Sequence, residues 1–418
     1  MRKDVRRIYC TTIETQKIIS RAIRDKNKTT VMKRITIIIS ILFVIGIYQK
    51  TFGQGCVAVR QMGGVTCMCS SNSYNLSKGD FQVGMNYRYF HSWRHFVGTE
   101  EQKQRQVLGN AVNIYSHAVD FNLSYGLTDR LQLNVTIPYV HNERSQTLTL
   151  NRDTATGKLT RYSLFAQGLA DVRLGFNYWV TDLKKAHNGN LMIGFGLKLA
   201  TGKHNTTDDA LQKDGTTKRA VNDQAIQPGD GGVGFSLEFQ GFTKIYKGIS
   251  GFANGYYLFN PKESNGTYKS AAKPGLAGYN LYACPDQYFI RAGFMTSVLK
   301  TRNLTFSLAG RMEGIPAYDV IGGQVAYRRP GYVVAVESGV SYRTGQHSFS
   351  LFVPYNFIKN RIQSTADKAD QNLQNSKISD PTRFVHVQGD AAFADYSISL
   401  GYSYRIEKKR KSATLLTQ

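Results

Sequence analysis

Beyond residue 47 this 418-residue chain has no long hydrophobic run, and its mean hydropathy is negative. A helical membrane span needs about 20 consecutive apolar residues, so that class is disfavoured for the body of the chain. Cysteine is sparse, five in all, and no His cluster joins Cys67 and Cys69 to complete a metal site, so neither metal nor cofactor is expected. Proline is scarce too, nine against 39 Gly, 25 Tyr and 22 Phe, which suits extended strands with aromatic girdles. Acidic residues are outnumbered 29 to 53 by Lys and Arg, for a net charge of +24. Roughly nine of the net positives precede residue 51 and about three lie in 407–418; the rest are scattered without a compact recognition motif, so no nucleic-acid partner is expected.

What is present is a rhythm. About twelve stretches between residues 79 and 406 alternate apolar and polar residues with period two. In 116–126, Val119, Phe121, Leu123 and Tyr125 alternate with Asp120, Asn122 and Ser124. In 130–140, Leu131, Leu133, Val135, Ile137 and Tyr139 alternate with Gln132, Asn134 and Thr136. Residues 171–178 and 395–404 repeat the pattern, and further candidate strands are 80–90, 190–200, 232–242, 248–259, 287–298, 304–311, 331–341 and 348–357. The links alternate in length. Short ones fall at 127–129, 181–189, 243–247, 299–303 and 342–347, and long ones at 91–115, 141–165, 201–231, 260–286, 312–330 and 358–391. A soluble β-sandwich has no reason to sort loop length by parity, whereas outer-membrane barrels keep periplasmic turns short and outward loops long. The expected fold is all-β, a transmembrane antiparallel β-barrel of about twelve strands with both chain ends in the periplasm. Closure is required because every backbone polar group in a bilayer needs an internal partner.

The start of the chain reads as an export signal. Lys33 and Arg34 precede the apolar run 35–47, and Thr51-Phe52-Gly53 places cleavage before Gln54. Residues 1–31 are polar and basic and Met32 would serve as a start, so 1–53 is taken as extension plus signal, 54–78 as a periplasmic segment, 79–407 as the barrel and 408–418 as a basic tail. Cys56, Cys67 and Cys69 are disulfide candidates in an exported chain, for example Cys56 with Cys67, while Cys284 falls in an outer loop. Gly53-Gln54-Gly55 lacks the aliphatic residue that would make Cys56 a lipidation site.

If the greasy faces meet lipid, the polar faces line a lumen. Arg88, Asp120, Asp171, Arg173, Lys198, Glu238, Arg291, Arg311, Glu337, Asp395 and Arg405 are then lumen candidates. Their mixed signs suggest salt bridges that fill a narrow barrel, or a lining that selects solutes. Asp208, Asp209, Asp214 and Asp223 with Gln227-Pro228-Gly229-Asp230-Gly231-Gly232 could hold calcium, but turn chemistry explains the latter without an ion. A lipid hydrolase would need a hydroxyl nucleophile beside a His base. His91, His95, His117, His141 and His386 fall near strand ends with Ser92, Ser116 and Ser145 nearby, yet no nucleophile motif surrounds them, and the chain is not expected to be an enzyme.

The run Ser399-Leu400-Gly401-Tyr402-Ser403-Tyr404-Arg405-Ile406 resembles the C-terminal signal read by the barrel-assembly machinery, with Ile406 in place of a terminal aromatic and a basic tail after it. Ser124-Tyr125-Gly126-Leu127-Thr128-Asp129-Arg130-Leu131, then Ile137-Pro138-Tyr139 and Gly168-Leu169-Ala170-Asp171-Val172-Arg173-Leu174-Gly175, resemble hairpins of the phenol meta-pathway MetA-like transporter family of bacterial outer-membrane proteins. That resemblance implies a passive outer-membrane channel without naming a solute. The expected role is passage of small solutes through a polar lumen, with Arg88, Arg173, Arg291 and Arg311 biasing it toward anions. Outer-membrane lipid and surface glycolipid are the expected surroundings. The alternative is a structural or adhesion barrel acting through loop residues such as Trp93, Arg94, Tyr268 and Lys269.

Overall fold

The structure, a computed structural model, describes residues 76–152, 159–182, 186, 188–298 and 303–408. The signal region, the stretch 54–75 with Cys56, Cys67 and Cys69, and the tail beyond Lys408 lie outside the described residues.

Twelve antiparallel staves close on themselves. They are β1 (Phe81–Val97), β2 (Asn113–Gly126), β3 (Leu131–Arg152), β4 in two pieces (Leu159–Leu169 and Arg173–Trp179), β5 (Gly189–Lys198), β6 (Gly234–Tyr246), β7 (Ile249–Phe259), β8 (Gln287–Val298), β9 (Leu304–Ile315), β10 (Gly331–Thr344), β11 (His347–Asn360) and β12 (Ala391–Ile406). Each pairs with its chain neighbours, and β12 returns to β1 with Ile406 opposite Phe81. No edge is left to template aggregation or to lose hydrogen bonds in lipid.

The apolar residues face outward. Phe121, Leu123, Ile137, Phe294 and Leu308 are each exposed, Leu308 by 59% and Phe294 by 61%, whereas Gln132, Asn134 and Thr136 between the outward residues of β3 are buried. A greasy exterior around a polar interior inverts the soluble arrangement, and burial of that exterior in hydrocarbon is what makes it stable. The molecule is a transmembrane β-barrel of twelve strands.

Several strands outrun their sequence estimates. β1 continues to Val97, β9 to Ile315 and β11 to Asn360, so parts of the expected long loops at 91–115, 312–330 and 358–391 are strand. The largest correction is at 141–165. Most of that stretch is a paired hairpin of β3 and β4 that extends the barrel wall, with Glu143 opposite Phe165. The other long connections carry structure of their own: a hairpin of Thr207–Leu211 with Thr217–Val221, a short pair of Ser264–Tyr268 with Leu281–Ala283, and helix α1 (Thr365–Asn375), whose Ser364 and Asp367 form a capping box.

The break in β4 has a sequence cause. In an antiparallel ladder a residue's N–H and C=O point to the same neighbour. The Pro138 carbonyl accepts from the Ala170 N–H, 2.8 Å, so its nitrogen, which has no hydrogen, also faces β4. Residues 170–172 leave the ladder opposite this missing donor, after Gly168 at φ 140°. The bulge brings Asp171 into a buried position inside the barrel.

Candidate functional site

The interior is layered. Near the short-turn end Trp179, Met192, Phe242, Phe252 and Met295 form a buried apolar cluster on the wall from β4 to β8. These inward aromatics depart from the strict apolar-out pattern.

Above them lies an ionic layer. Arg291 and Arg311 each bond one oxygen of Glu337, the second at 2.7 Å, and Arg311 also bonds Glu313 at 2.8 Å. Arg291 further donates to Asn254 Oδ1 at 3.0 Å and stands over the rings of Phe252 and Phe352. Each of the four charged groups is at most 8% exposed on its side chain. Arg291 and Arg311, expected to bias the lumen toward anions, are thus neutralised within this network. Desolvation makes such pairs poor at attracting a passing ion but costly to break.

Two cavities lie in this interior among the described residues. The smaller, about 50 Å³, is bordered by Arg88, Asp120, Asn122, Arg311, Ser350 and Phe352. The larger, about 100 Å³, lies toward the long loops and is bordered by Arg88, Arg173 and Lys198 from the staves, by Asp171 from the break in β4 and by 227–230 and Arg328–Arg329 from the loops. Arg88 borders both.

The roof of the larger cavity is a strap at 224–232. Lys198 Nζ bonds Asp230 and lies 3.6 Å from Asp171. Asp171 accepts from the Gly202 N–H at 2.9 Å and from the Asp230 N–H at 3.2 Å. Asn260 donates to Asp230 Oδ2 at 3.0 Å, and the Cys284 thiol donates to the Asp230 carbonyl at 3.1 Å. Burial pushes the Cys284 thiol well above its usual range, so it stays protonated. A Cβ on Gly229 would sit 2.5 Å from the Gly202 carbonyl oxygen, so this close approach needs glycine. At the other end of the strap Arg329 clamps Asp223 through both oxygens at 2.6 Å. Burial acts to raise the Asp223 carboxyl, but Arg329 and Arg144 outweigh it and hold it well below the usual carboxylate range. Next to it, Arg328 and Asp319 form a fully buried pair, and Asp319 Oδ1 also accepts the Asp286 N–H at 2.9 Å. Burial, the largest influence, raises the Asp319 carboxyl despite Arg328.

Of the other lumen candidates, Glu238 is buried and accepts from Ser236 at 2.9 Å. Asp395 bonds Arg94 and Lys359 at 2.8 and 2.7 Å near the loop end, and Arg405 bonds Asp80 at 2.7 Å at the short-turn rim. Neither Asp395 nor Arg405 borders the two cavities described. Glu313 was reachable by extending the period-two pattern two residues past the estimated strand end; Lys359 was not, because a register shift between β10 and β11 at residues 356–358 reverses the parity and turns it inward. Asp319, Arg328 and Arg329 had no signal, because irregular loops have no periodicity.

The acidic residues of loop 201–231 do not converge. Asp208 and Asp209 lie on the outer hairpin, Asp223 holds Arg329 and Asp230 holds Lys198. The rim histidines have partners other than the nearby serines. His91 bonds Asn113, His95 bonds Asp390, His117 bonds Tyr87 and His141 bonds Gln167, while Ser116 donates to Asn142.

No family model and no curated protein matches the chain. Among solved structures it is similar to an outer membrane channel from Pseudomonas putida F1, at 12% identity over 83% of this chain and 100% of that one, with a TM-score of 0.49. It is also similar to a FadL homologue of Pseudomonas aeruginosa (9% identity, 85% and 98% of the two chains, TM-score 0.39). A third is the Ralstonia pickettii toluene transporter TbuX (12% identity, 86% and 100%, TM-score 0.37).

Proposed function

We propose that the protein is a passive channel of a bacterial outer membrane, with its short turns and both chain ends in the periplasm and its long loops outside. The observation that supports this is the inverted barrel whose polar interior holds two cavities meeting at one side chain, Arg88. A solute moving between them passes that guanidinium. Of the four arginines expected to give a mild anion preference, Arg88 and Arg173 border the larger cavity, whereas Arg291 and Arg311 are paired with Glu337 and Glu313. The last strand, ending at Ile406 and paired to both β11 and β1, suits recognition by the barrel-assembly machinery.

The test is single-channel conductance of the refolded barrel in a planar bilayer under a salt gradient. Stable steps are expected, with a reversal potential of anionic sign that moves toward zero in Arg88→Gln and stays put in Arg291→Gln. A folded barrel without conductance would remove the channel reading.

The strap bolted across the mouth favours a second reading, a plugged barrel that works through its long-loop end. Silence in the bilayer would select it. A hydrolase is the least supported, given the partners of the rim histidines.

A further inference from the structure

We infer that the outward face of β1 to β4, where the wall leaves the apolar band, is a docking site for a glycolipid, with the sugar hydroxyls on a patch of histidines and aromatic rings and the acyl chains on the wall below. The proposal rests on the outer-membrane placement with the long loops outside, and not on conduction.

Strand register builds the patch. Tyr89, His117, His141 and Gln167 are direct cross-strand partners in one row, and His91, Tyr115, Glu143 and Phe165 form the next row toward the loops. Alternation puts both rows on the outward face, the face of the exposed Phe121 and Ile137. Geometry sets their height. The stretch from Leu131 to His141 climbs about 25 Å at about 3.4 Å per residue and a tilt of about 40°, which is the height of an apolar band, so the patch lies at head-group level. An ordinary girdle at that level is aromatic, as Phe235, Phe259 and Tyr355 are elsewhere on the loop end. Here three imidazoles on three neighbouring staves are added to it. Among the described residues the other strand histidines are His95, which is buried, and His347, at the short-turn end.

Hydrogen bonds define what the patch offers. His141 Nδ1 bonds Gln167 Oε1 at 2.9 Å, and an amide oxygen only accepts, so that nitrogen carries the proton and Nε2 of the neutral ring is an acceptor. By the same reasoning His91 Nε2 donates to Asn113 Oδ1 at 3.3 Å and its Nδ1 is an acceptor. Glu143 takes the Ser163 hydroxyl on one oxygen at 2.6 Å, and its carboxylate offers no donor. A surface of acceptors is a poor match for a phosphate, which brings acceptors of its own, and a good one for a ligand rich in O–H donors. Tyr115, stacked on His91 at 4.2 Å, and Trp93 beside that imidazole add flat rings for the C–H face of a sugar. The wall directly below is the lipid-facing surface of Phe121, Ile137, Tyr139 and Leu169, all exposed, so an occupant that covers both parts carries a sugar head and apolar chains.

The experiment places the folded barrel in phosphatidylcholine vesicles holding equal mole fractions of glucosyldiacylglycerol and phosphatidic acid, and counts by mass spectrometry the lipid that stays with the barrel on mild detergent extraction. Glucosyldiacylglycerol is expected to be enriched roughly threefold or more over phosphatidic acid, the worth of one net hydrogen bond. His141→Leu should abolish the enrichment, His141→Gln, which keeps an acceptor, should retain most of it, and Tyr355→Leu, elsewhere on the girdle, should leave it unchanged. Excess free glucose should not displace the lipid, because it lacks the chains. Enrichment of phosphatidic acid instead, displacement by glucose, equal loss in Tyr355→Leu, or a folded His141→Leu barrel with full enrichment would each overturn the site. A barrel that conducts without enriching the glycolipid overturns the site and leaves the channel standing; a silent barrel that enriches it supports the site and overturns the channel.

Discussion

Arg291 on β8 is the direct cross-strand partner of Arg311 on β9, two like charges facing each other inside the barrel. Such a pair is destabilising by itself. Glu337 on β10 resolves it by giving one carboxylate oxygen to each guanidinium. Replacing Glu337 by Gln or Ala should therefore cost far more than an average interior substitution, about 3–5 kcal/mol as for breaking a buried pair. Denaturant unfolding followed by Trp fluorescence would read it, with the buried Trp179 as reporter. A loss below about 1 kcal/mol would mean the network is idle.

Leu308 is 59% exposed on β9 and faces hydrocarbon if the barrel spans a bilayer. Leu308→Arg should destabilise the barrel by about 2–4 kcal/mol in lipid vesicles, the cost of a charge near the midplane. An unchanged unfolding midpoint in vesicles would contradict the lipid-facing assignment.

Gly229 touches the Gly202 backbone with no room for a Cβ. Gly229→Ala should lift the strap while the staves remain paired. Faster proteolysis within 222–232 and a larger unitary conductance are expected; wild-type values for both would show that the strap does not limit the mouth.

Asp223 makes the strap resistant to acid. Its folded-state pKa is depressed, so its contribution is present at pH above the unfolded carboxylate value of about 3.9 and is lost only as pH falls through the folded value. Hydrogen exchange at 222–227, corrected for the intrinsic rate, should show equal protection at pH 7 and pH 4.5. Asp223→Asn should lose protection at both. Loss in the wild-type protein by pH 4.5 would mean that Arg329 and Arg144 do not hold this carboxyl ionised.

Alternation made much of the barrel legible before any coordinates. Leu131 to Tyr139 on one face and Gln132 to Thr136 on the other turned out as lipid-facing and interior residues. The ends were less legible, because a strand that rises above the membrane no longer needs an apolar face. That is why 141–152 read as loop and is wall. Interior charges were legible by parity, so Arg291, Arg311 and Glu337 could be named, but their mutual pairing could not. Cross-strand register between β8, β9 and β10 depends on turn lengths and bulges, which leave no mark in a period-two pattern.

The sequence by itself determined the class of architecture: alternating residues in about twelve segments, with short and long links in turn, admit a closed barrel, because no open sheet satisfies its backbone in lipid. Only the tertiary structure decided what the interior does with its charge. Arg291 and Arg311 are silenced by neighbours on other strands, while Arg88, Arg173 and Lys198 border a cavity roofed by a loop more than twenty residues away from any of them in sequence. Electrostatics in a dry interior depends on distances of a few ångströms between residues far apart in the chain, and closure of the barrel sets those distances.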